Sequence, residues 1–182
     1  DLTAAGAEPG ANKDGTIPAW TGGHTTPIPG DKPGGRRGDP FKDDKPLFSI
    51  NAKNADQYAD KLSDGQKAML KKYPATYRID VYPTRRTAAA PQWVYDNTYR
   101  NATRAKLNGD LVEGAYGGIP FPIAKTGTEV MWNHMLRWRG TSWELHVNQY
   151  QLTADGQMVL TTDGRAEQQM QYYFQDGSPE QF

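Results

Sequence analysis

The sequence contains no cysteine, no excess of charge of either sign and no long hydrophobic run. Without cysteine, the chain forms no disulfide, uses no thiol in catalysis and holds no zinc through thiolates. The 21 basic and 21 acidic side chains cancel, which argues against general nucleic-acid binding because that needs a positive surplus to neutralise phosphates. No stretch approaches the roughly 18 consecutive apolar residues of a transmembrane helix, so we expect no transmembrane segment.

Leu, Ile, Val and Phe side chains are also scarce, and glycine and proline are abundant. Leu, Ile, Val and Phe together account for 27 of the 182 residues. Residues 1–50 hold nine Gly and seven Pro, whereas residues 51–182 hold 17 of the 20 aromatic residues. We therefore predict an extended Pro/Gly-rich N-terminal arm over 1–50 and one globular domain over 51–182. The arm is either a flexible linker or a segment ordered by docking Trp20 and Phe48 on the domain.

Two capping boxes predict where helices begin. Residues 54–72 have helical spacing of apolar residues, and Ser63 with Gln66 divides them into two short helices. Thr126 with Glu129 predicts a second start, followed by a helix to about Arg139 that ends at Gly140.

Alternation with a period of two predicts strands elsewhere. It occurs over 77–82, 93–99, 143–148 and 170–174, with weaker signals near 103–107 and 111–116. Asp155-Gly156 and Asp163-Gly164 are typical of hairpin turns. The fold class is thus α+β with an antiparallel meander. The meander stops at a turn signal over 176–178, so we expect the domain to be truncated at its C-terminus.

No residue pattern indicates catalysis or metal binding, so we predict no catalytic residue, metal or cofactor. His24, His134 and His146 lack metal-ligand spacing, and no Gly-x-Ser-x-Gly motif is present. A hydrolase would need Asp80, Asp96, Glu144 or the histidines to converge in a pocket. Hydrolase activity is the third hypothesis for the function, after the two that are given below.

The aromatic and methionine side chains are the main candidates for a ligand site. An antiparallel sheet lined by such residues and covered by a helix can form an adaptable apolar pocket, although a core without a pocket explains the same composition. Arg85 and Arg86 are candidates for contacts to an anionic head group, or else a solvated basic loop. The predicted lining residues are Trp93, Tyr95, Met131, Met135, Trp138 and Trp143.

Four strings together resemble one proteobacterial family of exported proteins of unknown function, often labelled outer-membrane lipoprotein-sorting-like. They are NKDGTIPAWTGG (12–23), YPTRRTAAAPQW (82–93), GAYGGIPFP (114–122) and MWNHMLRWRG (131–140). The resemblance implies a LolA/LolB-like architecture, which is a strongly curved antiparallel sheet, an incomplete β-barrel, with helices packed on its concave face. Residues 51–182 would then be the N-terminal part of such a domain.

The resemblance further implies a periplasmic protein, at or near the outer membrane, that binds or carries a lipid or another hydrophobic molecule. An envelope transporter of the RND type is the implied partner. The leading hypothesis is therefore a non-enzymatic carrier module. The alternative is a structural or assembly protein of the envelope that docks a protein partner through its arm or a sheet edge.

Overall fold

Helices alternate with short antiparallel strand pairs in the computed structural model, which describes residues 2–32 and 34–181. The chain divides into two units, one formed by residues 10–87 and the other by residues 2–9 together with 88–181. The predicted boundary at residue 50 is not a boundary between these units. Residues 10–47 belong to the same unit as the helices that follow them, and the His24 N–H donates to the Thr87 carbonyl at 2.9 Å.

The unit of residues 10–87 is built on one strand pair and two short helices. Strand β1 (Phe48–Ile50) pairs antiparallel with β2 (Ile79–Val81). Between them lie a 3-10 helix (Ala55–Lys61) and α1 (Asp64–Lys72). The core of this unit contains Ile50, Leu62 and Leu70.

The predicted break at Ser63 is confirmed. Its hydroxyl accepts from the Gln66 N–H and the Gln66 side chain accepts from the Ser63 N–H, so both groups of a capping box are present. Phe48, expected as a docking anchor of the arm, lies in β1 and stacks on Tyr58 with ring centroids 5.0 Å apart.

The unit of residues 2–9 and 88–181 contains two α-helices and two hairpins. Its elements in chain order are α2 (Gln92–Arg104), β3 (Lys106–Asn108), β4 (Leu111–Glu113), α3 (Gly127–Met135), β5 (Ser142–Leu152), β6 (Met158–Gln169), and 3-10 helices at Gln171–Tyr173 and Pro179–Gln181. Its core is aromatic and contains Val94, Ala115, Tyr116, Leu136, Tyr172 and Tyr173. The Thr126–Glu129 capping box begins α3 as predicted.

Helix α2 corrects the strand predicted over 93–99. The alternation of aromatic and polar residues there suggested a period of two, but the buried residues of α2 are Val94, Thr98 and Asn101. Their spacing of four and three residues is that of one helical face. The pattern was misread because two of the three core positions carry polar side chains.

Two further strand features differ from the prediction. Asp155-Gly156 forms the turn between β5 and β6, with Gly156 at φ 84°, but Gly164 lies inside β6 opposite Val147. The predicted strand over 170–174 is instead the 3-10 helix Gln171–Tyr173. A single hairpin has one turn. Because β5 pairs with β6 from Ser142 to Leu152, that turn lies at Asp155-Gly156.

Among the described residues, the strands form three separate antiparallel pairs, β1–β2, β3–β4 and β5–β6. The α+β expectation is confirmed as a mixture of helices and short antiparallel sheets, none of which closes into a barrel among the described residues. Over the same part of the chain, no helix combines the length and apolar character needed to span a bilayer.

Candidate functional site

A cleft of about 350 Å³ lies beside α2, at the lower end of the size range of ligand pockets. It is walled by α2, the loop that contains Tyr116, and the segment from Phe174 to Pro179. Its main chemical groups are three aromatic rings, two guanidinium groups and one carboxylate, belonging to Trp93, Tyr116, Phe174, Arg100, Arg104 and Asp96.

One face of α2 supplies most of the polar groups. Trp93, Asn97, Arg100 and Arg104 recur at intervals of three and four residues and all line the cleft. Asp96 lies at the border of this face and accepts a hydrogen bond from the Gln92 side chain at 2.9 Å.

The two arginines are held by neutral partners. Arg104 donates from Nε to Asn101 Oδ1 at 2.9 Å and from Nη2 to the Tyr116 carbonyl at 3.1 Å. Arg100 donates from Nη1 to Asn97 Oδ1 at 3.3 Å. Within residues 2–32 and 34–181, neither guanidinium has a carboxylate within 4.0 Å. Both therefore retain hydrogen-bond donors that a ligand can use.

Tyr116 is a buried residue that lines the cleft. Its hydroxyl donates to the Gln171 carbonyl at 2.7 Å and also lies 2.9 Å from the Phe174 carbonyl. Burial, and secondarily the negative charge of Asp176, raises the pKa of Tyr116. A Cβ on Gly177 would lie 1.8 Å from the Tyr116 hydroxyl oxygen, so this wall requires glycine.

Asn101 joins α2 to the glycine-rich loop. Its Nδ2 lies 3.3, 3.1 and 3.3 Å from the carbonyls of Tyr116, Gly118 and Ile119, respectively. Its Oδ1 accepts from the Tyr116 N–H at 3.2 Å. Asn101 is only 1% exposed, so each of these bonds is shielded from water.

Thr98 and Gly118 complete this contact. The Thr98 hydroxyl accepts from the Ile119 N–H at 3.0 Å and donates to the Val94 carbonyl at 2.9 Å. A Cβ on Gly118 would lie 2.4 Å from the Thr98 nitrogen. The loop over 114–122 is therefore a packing surface for α2.

An aromatic cluster supports the cleft from the core side. Trp93 meets Trp138 edge to face at 5.4 Å, and Tyr173 meets both Trp138 and Tyr172 at 5.0 Å. Tyr172 donates to the Gly118 carbonyl at 2.6 Å and Tyr173 donates to the Leu136 carbonyl. Burial raises the pKa of both phenols well above the ordinary value.

The structure brings together only some of the predicted pocket residues. Trp93 and Trp138 are in contact. Of the residues predicted to line a pocket, Trp93 alone is among the described residues that line this cleft. Tyr95 is half-buried, and its hydroxyl accepts from the Ala90 N–H at 2.7 Å. Met131 and Met135 are exposed on α3. Trp143 lies in β5, with the Arg139 guanidinium 5.7 Å from its ring.

Arg85 and Arg86 belong to the other unit. Arg85 forms a two-pronged ion pair with Asp44 and lies 4.6 Å from the ring centre of Phe41. Arg86 reaches the carbonyls of Gly10 and Pro18 at 3.5 Å each. Both predicted head-group contacts therefore already have partners in residues 10–87.

The carboxylates considered for hydrolysis lie on separate elements with their own partners. Asp80 in β2 accepts from the Ser49 hydroxyl, Asp96 in α2 from Gln92, and Glu144 in β5 pairs with Arg165 at 2.9 Å. His146 lies 3.0 Å from Asp163, and His134 contacts Arg137. In the described ranges, no three His, Asp or Glu side chains are grouped as a metal site.

The hairpin of β5 and β6 exposes apolar side chains on opposite faces. Leu145 and Val147 share one face near its base, and Tyr150 and Leu152 share the other face near its tip. A β-bulge separates the two patches between Gln149 and Tyr150. The face opposite the basal patch is charged and includes the Glu144–Arg165 pair.

Sequence reasoning missed Arg100, Arg104 and Asn101 as site residues. These residues could have been found only if residues 92–104 had been interpreted as a helix. Positions 93, 97, 100 and 104 then lie on one face of that helix. The glycine-rich string over 114–122 was noticed, but its partner α2 was not.

Residues 49–182 match the family described as protein of unknown function (DUF1329), and the chain belongs to that family. An uncharacterized protein of Pseudomonas aeruginosa is 43% identical over 177 residues, which cover 96% of this chain and 36% of that relative. The chain thus spans about a third of the length of the curated relative it matches. No solved structure matches the chain. The resemblance to a family of unknown function is confirmed at that level.

Proposed function

We propose that the chain is part of a binding or carrier protein for a hydrophobic ligand, a lipid or an acyl chain, and that it acts by binding and not by catalysis. Its place of action in this proposal is the periplasm, at or near the outer membrane. The partner is an envelope transporter of the RND type, which the family resemblance implies.

The observation that carries the proposal is a set of large apolar side chains left exposed in the unit of residues 88–181. Val130, Met131 and Met135 are about half exposed on α3, and the hairpin exposes Leu152 and Met158 still further. Each acyl CH₂ removed from water by such a surface contributes about 0.8 kcal/mol. Flexible methionine side chains adapt to chains of different shape.

The proposed architecture is LolA/LolB-like. Residues 51–182 would form the N-terminal part of the domain, preceded by the Pro/Gly-rich arm, and β5–β6 would provide two strands of a strongly curved sheet. An isolated two-stranded hairpin is at best marginally stable in water, so additional strands would stabilise it. The relative is long enough to supply them, since this chain covers only 36% of it.

The test is lipid extraction and native mass spectrometry of the purified chain, followed by titration with a fluorescent fatty acid. We expect a co-purified lipid or saturable probe binding. The double variant Met131→Gln/Met135→Gln should weaken probe binding, and Met69→Gln is the matched control because Met69 is 40% exposed on α1 in the other unit. Absence of both lipid and probe binding overturns the proposal.

A structural or assembly protein of the envelope is the second candidate. It is favoured by the outer edges of β5 and β6, which have no strand partner among the described residues. Such edges accept an added strand from another protein. A pull-down with the full-length protein distinguishes the candidates, because recovery of a transporter or outer-membrane protein without lipid supports assembly over transport of a ligand.

A further inference from the structure

We propose that the cleft beside α2 binds a small monocarboxylate with a flat apolar body. This inference does not depend on the acyl-chain surface of α3 and the hairpin, since it concerns different residues and a different ligand.

The guanidinium groups of Arg100 and Arg104 supply the carboxylate site. They lie one helical turn apart on the same face of α2 and both line the cleft. Neither is paired with a carboxylate in the described part of the chain. A guanidinium donates two parallel hydrogen bonds to a carboxylate, and charge-assisted bonds of this kind are about twice as strong as neutral ones.

Arg104 is preorganised for this role. Its two hydrogen bonds, to Asn101 Oδ1 at 2.9 Å and to the Tyr116 carbonyl at 3.1 Å, fix the plane of its guanidinium. Asn101 is itself fully buried and bonded to the loop backbone, so the support is rigid. Binding to a fixed side chain costs less conformational entropy than binding that must first order a mobile side chain.

The body of the ligand follows from the walls. Trp93, Tyr116 and Phe174 place three aromatic rings around the cleft. Flat apolar groups pack on such rings by offset stacking or edge-to-face contact, which adds about 0.5–1.5 kcal/mol per pair beyond the buried area. The volume of about 350 Å³ limits the ligand to a small molecule.

The surrounding charges favour one negative charge over two. Asp96 lines the cleft, and Asp176 is close enough to Tyr116 to help raise the pKa of its hydroxyl. The pKa of Glu180 is lowered mainly by the Ser178 side chain and to a smaller extent by the charge of Arg104. Each carboxylate near the cleft repels a dianion more strongly than a monoanion, so the second charge of phosphate is disfavoured there.

The test titrates the purified chain with 2-naphthoate, followed by amide NMR or calorimetry. We expect saturable binding with shifts at α2 and residues 174–179. The neutral isostere 2-naphthalenemethanol should bind about tenfold or more weakly, because it loses the charge-assisted bonds. Inorganic phosphate should not compete, and octanoate should bind more weakly than naphthoate.

Arg100→Gln is the decisive variant, because Arg100 is exposed and its replacement leaves the buried network of Asn101 intact. It should weaken naphthoate binding about tenfold or more. Arg137→Gln is the control, since it removes an exposed guanidinium outside the cleft in the same unit. Equal binding of the neutral alcohol, unchanged affinity in Arg100→Gln, or octanoate binding as tightly as naphthoate overturns the proposal, whatever the result with the fluorescent fatty acid.

Discussion

Asn101 contacts both polar backbone groups of Tyr116. Its Nδ2 lies 3.3 Å from the Tyr116 carbonyl oxygen, and its Oδ1 accepts from the Tyr116 N–H at 3.2 Å. One buried amide thereby replaces the hydrogen bonds that a regular element would give this residue. Helix α2 therefore holds the backbone of Tyr116, which lines the cleft.

Replacing Asn101 should destabilise the unit of residues 88–181. In Asn101→Ala, the N–H of Tyr116 and the carbonyls around it lose buried partners, and we expect a loss of about 3 kcal/mol in the free energy of unfolding. Urea unfolding followed by circular dichroism measures this loss. Asn108→Ala is the control, because Asn108 makes an exposed side-chain bond to Glu113. Equal unfolding midpoints in the two variants would contradict the assigned role.

Gly118 should not tolerate a methyl group. A Cβ at this position would meet the Thr98 nitrogen at 2.4 Å and the Val94 carbonyl oxygen at 2.8 Å, both of which are backbone atoms of α2. Gly118→Ala should therefore lower the melting temperature and cost about 1–3 kcal/mol of stability. Gly127→Ala, at the first position of α3 with nothing within 4 Å of the added Cβ, should be neutral or stabilising. A neutral Gly118→Ala would show that loop and helix are not in close contact.

Alkaline pH should unfold the aromatic core. Burial raises the pKa of Tyr172 and Tyr173 in the folded state above the ordinary value of 10.0. Their contribution to the free energy of unfolding is therefore fully present below about pH 10 and falls as the pH rises further, since the unfolded chain releases those protons first. Absorbance at 295 nm and circular dichroism should change together above that pH.

Tyr99→Phe is the control for this titration. Tyr99 is 85% exposed, so its replacement should leave the pH of unfolding unchanged. Ionisation of Tyr172 and Tyr173 near pH 10 while the dichroism signal stays native would contradict their burial.

The Ser49 hydroxyl should control the acidity of Asp80. This hydrogen bond across β1 and β2 is the main cause that lowers the pKa of Asp80, with Arg78 adding to it. In Ser49→Ala, the pKa of Asp80 should rise toward its ordinary value, as measured by carboxyl-carbon NMR. Asp14, whose pKa is lowered mainly by Thr16, should titrate unchanged in the same spectra. An unchanged pKa of Asp80 would rule out the hydrogen bond as the cause.

Features fixed by neighbouring residues could be predicted from the sequence. The capping boxes at Ser63 and Thr126 were found because both partners lie within three residues of each other. The turn at Asp155-Gly156 is equally local. The second Asp-Gly pair failed as a predictor because cross-strand pairing over the whole length of β5 determines its place in β6.

Helix α2 and the cleft depend on distant residues and could not be predicted in the same way. Thr98 and Asn101 can be buried because their side chains form hydrogen bonds with backbone N–H and carbonyl groups of the loop over 116–119. Only this tertiary partner makes polar core positions favourable, so hydrophobic periodicity alone gave the wrong element. The cleft likewise needs Phe174, which follows α2 by about 70 residues in the sequence.

The β5–β6 hairpin also shortens the path of the chain through the core. The Met170 N–H donates to the Thr141 carbonyl at 2.7 Å, so the two ends of residues 142–169 are immediate neighbours. Once the hairpin has formed, the contact between Tyr173 and Leu136 closes a short loop and not a long one. The entropic cost of forming that contact is therefore lower. Insertions or deletions in matched pairs at the hairpin tip leave this junction unchanged. The hairpin can therefore be made longer or shorter while the aromatic core keeps its geometry.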